Sequence, residues 1–174
     1  MRTPTALALL PLLAIPLHSG CDSRKKAEDS GRRVEINRVT GNTFELVPTD
    51  GQLPYCLVFT RSEKGVVRQL TMTHENKSVP CEPGRPIAGV RFRTPQDEGE
   101  VKVHLFFSDR KLSAGSIAQQ LHDIGADFNP LNHRFPGVVL AETLSFRPDA
   151  DDTEITTGVV VGPGGEVIGD GGDR

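Results

Sequence analysis

The densest set of chemistry-bearing side chains in this 174-residue sequence lies between residues 104 and 133: His104, Asp109, His122, Asp123, Asp127 and His133. Imidazole nitrogens and carboxylate oxygens are ligands that could hold zinc, with an open position for water. An enzyme using them, a hydrolase or a metal-dependent one, would need at least two to converge in a cleft. The spacing argues against that. His122 and Asp123 are neighbours on a predicted helix and project about 100° apart. His133 lies beyond a loop containing Pro130, so nothing local brings it back to His122. Solvated surface positions are the reading the spacing favours for this group, for His74 and for His104, and neither catalytic residue nor metal nor cofactor is assigned.

Two basic sets suggest binding instead. Arg110 and Lys111, in Ser108–Ser113, precede a predicted helix start, where main-chain N–H groups attract anions. A turn capped by Asp109 and Ser113 is the plainer reading of the same residues. Arg68, Arg91 and Arg93 alternate with apolar residues, and neighbouring strands would align them into a basic stripe for an acidic partner. No Gly-rich phosphate loop ending in Lys-Ser/Thr and no G-x-S-x-G elbow occurs. Ser113 to Ser116 is a helix start, and the glycines after Gly162 lack the strand-before, helix-after setting of a phosphate cradle.

The elements that would position these residues are mostly short strands. Val34–Val39 and Thr43–Pro48 flank Gly41-Asn42, a hairpin signal. Leu53–Thr60 puts Leu53, Tyr55, Leu57 and Phe59 on one face and Cys56 and Val58 on the other. Val66–His74 and Ile87–Thr94 are further strands, separated by a proline-rich loop, Ser78–Pro86. In Glu100–Phe107, Val101, Val103, Leu105 and Phe107 are expected inward, and Glu100, Lys102, His104 and Phe106 outward.

One helix, at about 113–124, carries Ile117, Leu121 and Ile124 in a single stripe. Ser113 is its expected N-cap, Leu112 packs on Ile117, and Gly125 ends it. Val138–Arg147 and Thr153–Val161 close the domain. The segment 162–174 is a Gly-rich acidic tail in which Glu166–Ile168 could add an edge strand. The fold class expected is mainly β, an antiparallel sandwich or barrel-like domain of about eight short strands spanning 34–161.

The N-terminus has a different character. Arg2 is the only charge before residue 22, and Ala6–Leu17 is apolar apart from Pro11 and Pro16. Such a run is too short to cross a bilayer of about 30 Å and has the anatomy of a secretory signal peptide, residues 1–20. Ser19-Gly20-Cys21 closes it and resembles the lipobox of bacterial lipoproteins, with His18 where that family prefers an aliphatic residue. The resemblance covers residues 1–21. It implies cleavage before Cys21, a diacylglyceryl group on its sulfur, acylation (for example by palmitate) of its amine, and a mature protein anchored in the cell envelope facing the periplasm or the exterior. Asp22 resembles the inner-membrane retention signal of enteric bacteria, and inner versus outer membrane stays open. Two or more acyl chains anchor stably where one does not. Asp22–Arg33 has no apolar periodicity and reads as a polar tether, its five basic residues being suited to anionic head groups.

With residues 1–20 removed, 154 residues are left, enough for one domain with a real core. The formal charge of −3 becomes −4, because the leader holds one Arg and no acid. No basic excess suggests nucleic acid, and with no Trp and one Tyr a stacking platform is not expected. If Cys21 is lipidated, Cys56 and Cys81 are left, and an exported chain with an even remainder suggests a disulfide. The expected function is a non-catalytic binding or scaffolding module for a protein or envelope component. The alternatives are an enzyme built on 104–133 and a small-ligand module with a pocket under the helix.

Overall fold

The computed structural model describes residues 31–125, 128, 133–149 and 158–170. The expected signal peptide, Cys21 and most of the expected tether lie outside them. Ten strands are described: β1 (Val34–Arg38), β2 (Thr43–Pro48), β3 (Tyr55–Ser62), β4 (Val67–Gln69), β5 (Val79–Pro80), β6 (Phe92–Arg93), β7 (Val101–Ser108), β8 (Leu140–Phe146), β9 (Val159–Val161) and β10 (Val167–Asp170). One α-helix, α1 (Ala114–Ile124), joins them. All pairings are antiparallel and fall into two sheets. The smaller has the order β1-β2-β6; the larger runs β10-β9-β4-β3-β7-β8, with β5 on the start of β3.

β3 and β7 are the axis of the larger sheet and pair without slip from Tyr55↔Ser108 to Ser62↔Val101. Their alternation feeds two cores. One face sends Cys56, Val58, Val103, Leu105 and Phe107 against Val34, Phe44, Leu46 and Phe92 of the smaller sheet. The Phe44 and Phe146 rings meet at 4.6 Å across this layer. The other face sends Leu57, Phe59 and Phe106 against Ala114, Ile117, Ala118 and Leu121 of α1 and against Phe135. The domain is a sandwich with a helical third layer.

That third layer corrects one expectation. His104 and Phe106 are not outward; both are buried, at 2% and 0% exposure. The alternation in β7 was real, but its second face packs under α1 and the Phe135 loop instead of meeting water. Other differences are local. β5 lies inside the expected loop, where Val79 pairs with Cys56 beside the Cys56–Cys81 disulfide, whose Cα atoms are 5.7 Å apart. Pro80 ends the two-residue β5 opposite Tyr55, a strand-end position where a residue without an N–H is tolerated. Ile87–Thr94 is not one strand: a 3-10 turn takes Ile87–Gly89, and pairing is confined to Phe92 and Arg93.

The hairpin forms as read, with Arg38 opposite Phe44 and Val34 opposite Pro48. α1 stops at Gly125, whose φ of 69° suits a residue without Cβ. Ser113 occupies the N-cap position, but its side chain makes no capping bond. The Ala114 N–H instead donates to the Asn76 carbonyl, and the Leu112 N–H to Ser78 Oγ. After residue 162 the chain forms a turn and β10, the edge of the larger sheet. A Cβ at Gly165 would lie 2.7 Å from the Gly115 carbonyl oxygen, so only glycine lets this turn approach the first turn of α1.

The two sheets are stitched along the β1 and β8 edges. The Arg33 N–H donates to Glu142 Oε2 at 2.9 Å. At the far end the Arg38 guanidinium donates to the Gly41 and Arg147 carbonyls, pairs with Asp149, and lies 4.5 Å from the Phe146 ring centre. Among the described residues no helix is long and apolar enough to cross a membrane.

Candidate functional site

The polar residues of the 104–133 region go to separate places. Asp109 is exposed beyond the end of β7, and Asp123 is exposed on α1. The His122 ring nitrogen Nε2 contacts the Val161 carbonyl at 2.6 Å, which ties the helix to β9. His104 is buried with Nδ1 on Thr143 Oγ1 at 3.0 Å, and its Nε2 has no partner. Burial pushes its pKa down to about 3, helped by the positive charges of Arg61 and Lys102. His133 shares a neighbour with His104: the Phe128 ring centre stands 4.6 Å from that of His104 and 5.7 Å from that of His133. Asp127 lies outside the described residues, and His74 is exposed. Among the described residues no group of three His, Cys, Asp or Glu could hold a metal ion.

The arginine stripe does not form. β4 and β6 belong to different sheets, so Arg68 is separated from Arg91 and Arg93. Arg91 is exposed and donates to Glu45 at 2.9 Å, and Arg93 Nε donates to Thr43 Oγ1 at 3.1 Å. Arg68 is interior. It forms a two-point ion pair with Glu98, from the turn Gln96–Glu98, and the two residues are only 8% and 6% exposed. Arg68 Nη1 has no hydrogen-bond partner. Sequence alternation missed this pair: Val67, Arg68 and Gln69 are all buried, so a charge here cannot be told by period from one facing water.

Arg110 and Lys111 are exposed as expected. The helix start beside them is already occupied, since the first N–H of α1 is given to Asn76. The Arg110 guanidinium reaches the other way and lies against Gly137, its Nη2 3.8 Å from where a Cβ would stand.

That loop, residues 133–138, borders a cleft of about 350 Å³. Its other wall is the start of β8, and Arg33, just before β1, closes one side. Phe135, Val138 and Leu140 give it apolar lining, Arg33 and Arg134 give it positive charge, and His133 adds an imidazole. Phe135 is fixed from behind by an edge-to-face contact with Phe106 at 4.7 Å. Val139, 57% exposed, forms an apolar lip. The Glu142 carboxyl stands next to this wall. Burial pushes its pKa up, and the main-chain N–H groups of Arg33 and Val34 oppose that. The cleft brings together residues about a hundred positions apart. No sequence signal marked it, and it is not under the helix, where the small-ligand alternative would have placed a pocket.

No protein family, no curated protein and no solved structure matches this chain.

Proposed function

We propose that this protein is a bacterial envelope lipoprotein, fastened through an acylated Cys21, whose β-sandwich is a non-catalytic binding module for a protein or envelope component. The observation that supports this best is the pairing of the cysteines. Cys56 and Cys81 are joined across β3 and the loop after β5, which leaves Cys21 as the odd cysteine at the end of an apolar leader. A disulfide of this kind belongs to an oxidising compartment, the destination that such a leader implies. The non-catalytic class is supported by the use the fold makes of its polar groups. His122 serves a backbone carbonyl, His104 packs in an aromatic cluster and Glu98 balances Arg68.

Intact-mass analysis of the chain purified from its native host tests the reading. The expected species begins at Cys21 and carries a diacylglyceryl group with a further acyl chain. Cys21→Ser should abolish the acylation and release the protein from the membrane fraction. An uncut Met1, or a trimmed chain with a bare thiol at Cys21, overturns the proposal.

A further inference from the structure

The geometry points to the cleft between residues 133–138 and the start of β8 as a binding site for an anionic amphiphile: a phosphate head group held by Arg33 and Arg134, with its first apolar segment on Phe135, Val138 and Leu140. This deepens the binding-module reading and rests on it for the place where such a ligand is met.

Charge is the first argument. The chain is net acidic at −3, yet this cleft gathers Arg33 and Arg134, with Arg110 against Gly137 of the same loop. The Arg134 and Arg110 guanidinium groups make no ion pair or hydrogen bond among the described residues. Arg33 reaches only Gln52 Oε1, at 3.4 Å. The Glu142 carboxylate accepts from main-chain N–H groups and also feels the positive charge of Arg33, so Arg33 is partly balanced and Arg134 is not. The Arg134 guanidinium, a planar fork of N–H donors with no carboxylate partner among the described residues, suits a phosphate oxygen pair.

Shape and apolar character are the second argument. A volume of about 350 Å³ is at the small end of ligand sites, and its lining mixes the apolar side chains of Phe135, Val138 and Leu140 with the polar ones of Arg33, His133 and Arg134. Free phosphate would use the polar side chains and leave the apolar ones wet. An amphiphile fills both, and the exposed Val139 extends the apolar path outward.

Position is the third. Arg33 is the last residue of the segment Asp22–Arg33. Twelve residues can span at most about 43 Å, so an anchor at Cys21 keeps the cleft within that distance of the membrane surface. The head group can come from a bilayer phospholipid or from a free amphiphile.

The test uses the full chain extracted from whole cells in dodecyl maltoside and examined by native mass spectrometry with dodecyl phosphate. One saturable adduct is expected. Arg33→Gln and Arg134→Gln should each weaken it about tenfold or more, as loss of a charge-assisted hydrogen bond does. Arg85→Gln removes the same charge from an exposed pair with Glu82 and should leave the adduct unchanged. Inorganic phosphate should bind at least tenfold more weakly than dodecyl phosphate.

Uptake unaffected by Arg33→Gln plus Arg134→Gln, or equal loss in Arg85→Gln, overturns the site. In nanodiscs with and without phosphatidylglycerol, an arginine-dependent phosphatidylglycerol adduct assigns the head group to the bilayer; uptake of dodecyl phosphate alone assigns it to a free amphiphile. The same spectra report acylation. An unacylated chain that takes up dodecyl phosphate keeps the cleft and removes the anchor, whereas an acylated chain that does not take it up does the reverse.

Discussion

Removing the carboxylate from the Arg68–Glu98 pair should unfold this domain more readily than any other single charge change. Both residues are nearly out of solvent, and Arg68 grips Glu98 through Nε and Nη2 while Nη1 has no partner. For charge centres about 4 Å apart at an effective dielectric of about 20, the attraction is about 4 kcal/mol. Glu98→Gln keeps the shape but leaves a guanidinium buried without its counter-charge, a change that costs about 3–5 kcal/mol. In a domain of this size that lowers Tm by about 6–20 °C.

The double variant Arg68→Met/Glu98→Leu removes both charges and should recover to within about 1–2 kcal/mol of the parent, or exceed it. Urea unfolding followed by far-UV circular dichroism at pH 7 gives all four corners of the cycle, provided the slope m is unchanged. Added salt should hardly alter the coupling, because screening acts on exposed charges. A Glu98→Gln loss below about 1 kcal/mol, or a double variant equal to the sum of the singles, would refute the reasoning.

Two further outcomes follow from the fold. Replacing Cys56 and Cys81 together with Ala opens a closure of 25 residues, worth about 3.5 kcal/mol by the chain-entropy relation, and reductant should have a similar effect on the parent but none on the variant. His104 binds its proton at about pH 3 in the folded state and near 6.5 when unfolded, so the unfolded chain takes up the proton first as pH falls. Stability is therefore lost between about pH 6.5 and 3, by about 2–3 kcal/mol at pH 4.5. His104→Phe should flatten that segment of a stability–pH curve, and an unchanged slope would count against the buried neutral imidazole.

Much of the architecture was legible because it depends on local periodicity. The Gly41-Asn42 hairpin, the β7 alternation, the Ile117–Leu121 stripe and the stop at Gly125 are each written within a dozen residues. What escaped depends on what lies opposite. A period of two says that β7 has two different faces; it does not say that both are covered. The clue was chemical: Phe106 on the face taken as outward, and Leu57 and Phe59 on the far side of β3 from Cys56 and Val58. Large apolar residues on both faces of two strands call for a layer on each side. The Arg68–Glu98 pair and the cleft are harder still. Their partners are 30 and about 100 residues apart, and only the sheet order brings them together.

The two-faced sheet also explains why binding chemistry collects at one corner. β3 and β7 spend both faces on packing, so the middle of the larger sheet presents no free surface for a ligand. His104, Arg68 and Glu98, chemically the most capable residues in that layer, are consumed inside it. Polar side chains can meet a ligand where the layers end, and the start of β8 is such a place. There Arg33 leads into the smaller sheet at Val34, and the loop that covers Phe106 returns through His133 and Arg134. Arg33 and the continuous stretch 133–141, with no hydrogen-bonded ladder between them, leave a gap bordered by core and loop side chains. A lining that mixes apolar and basic side chains follows from that construction, since the apolar ones finish the core and the basic ones need water or an anion.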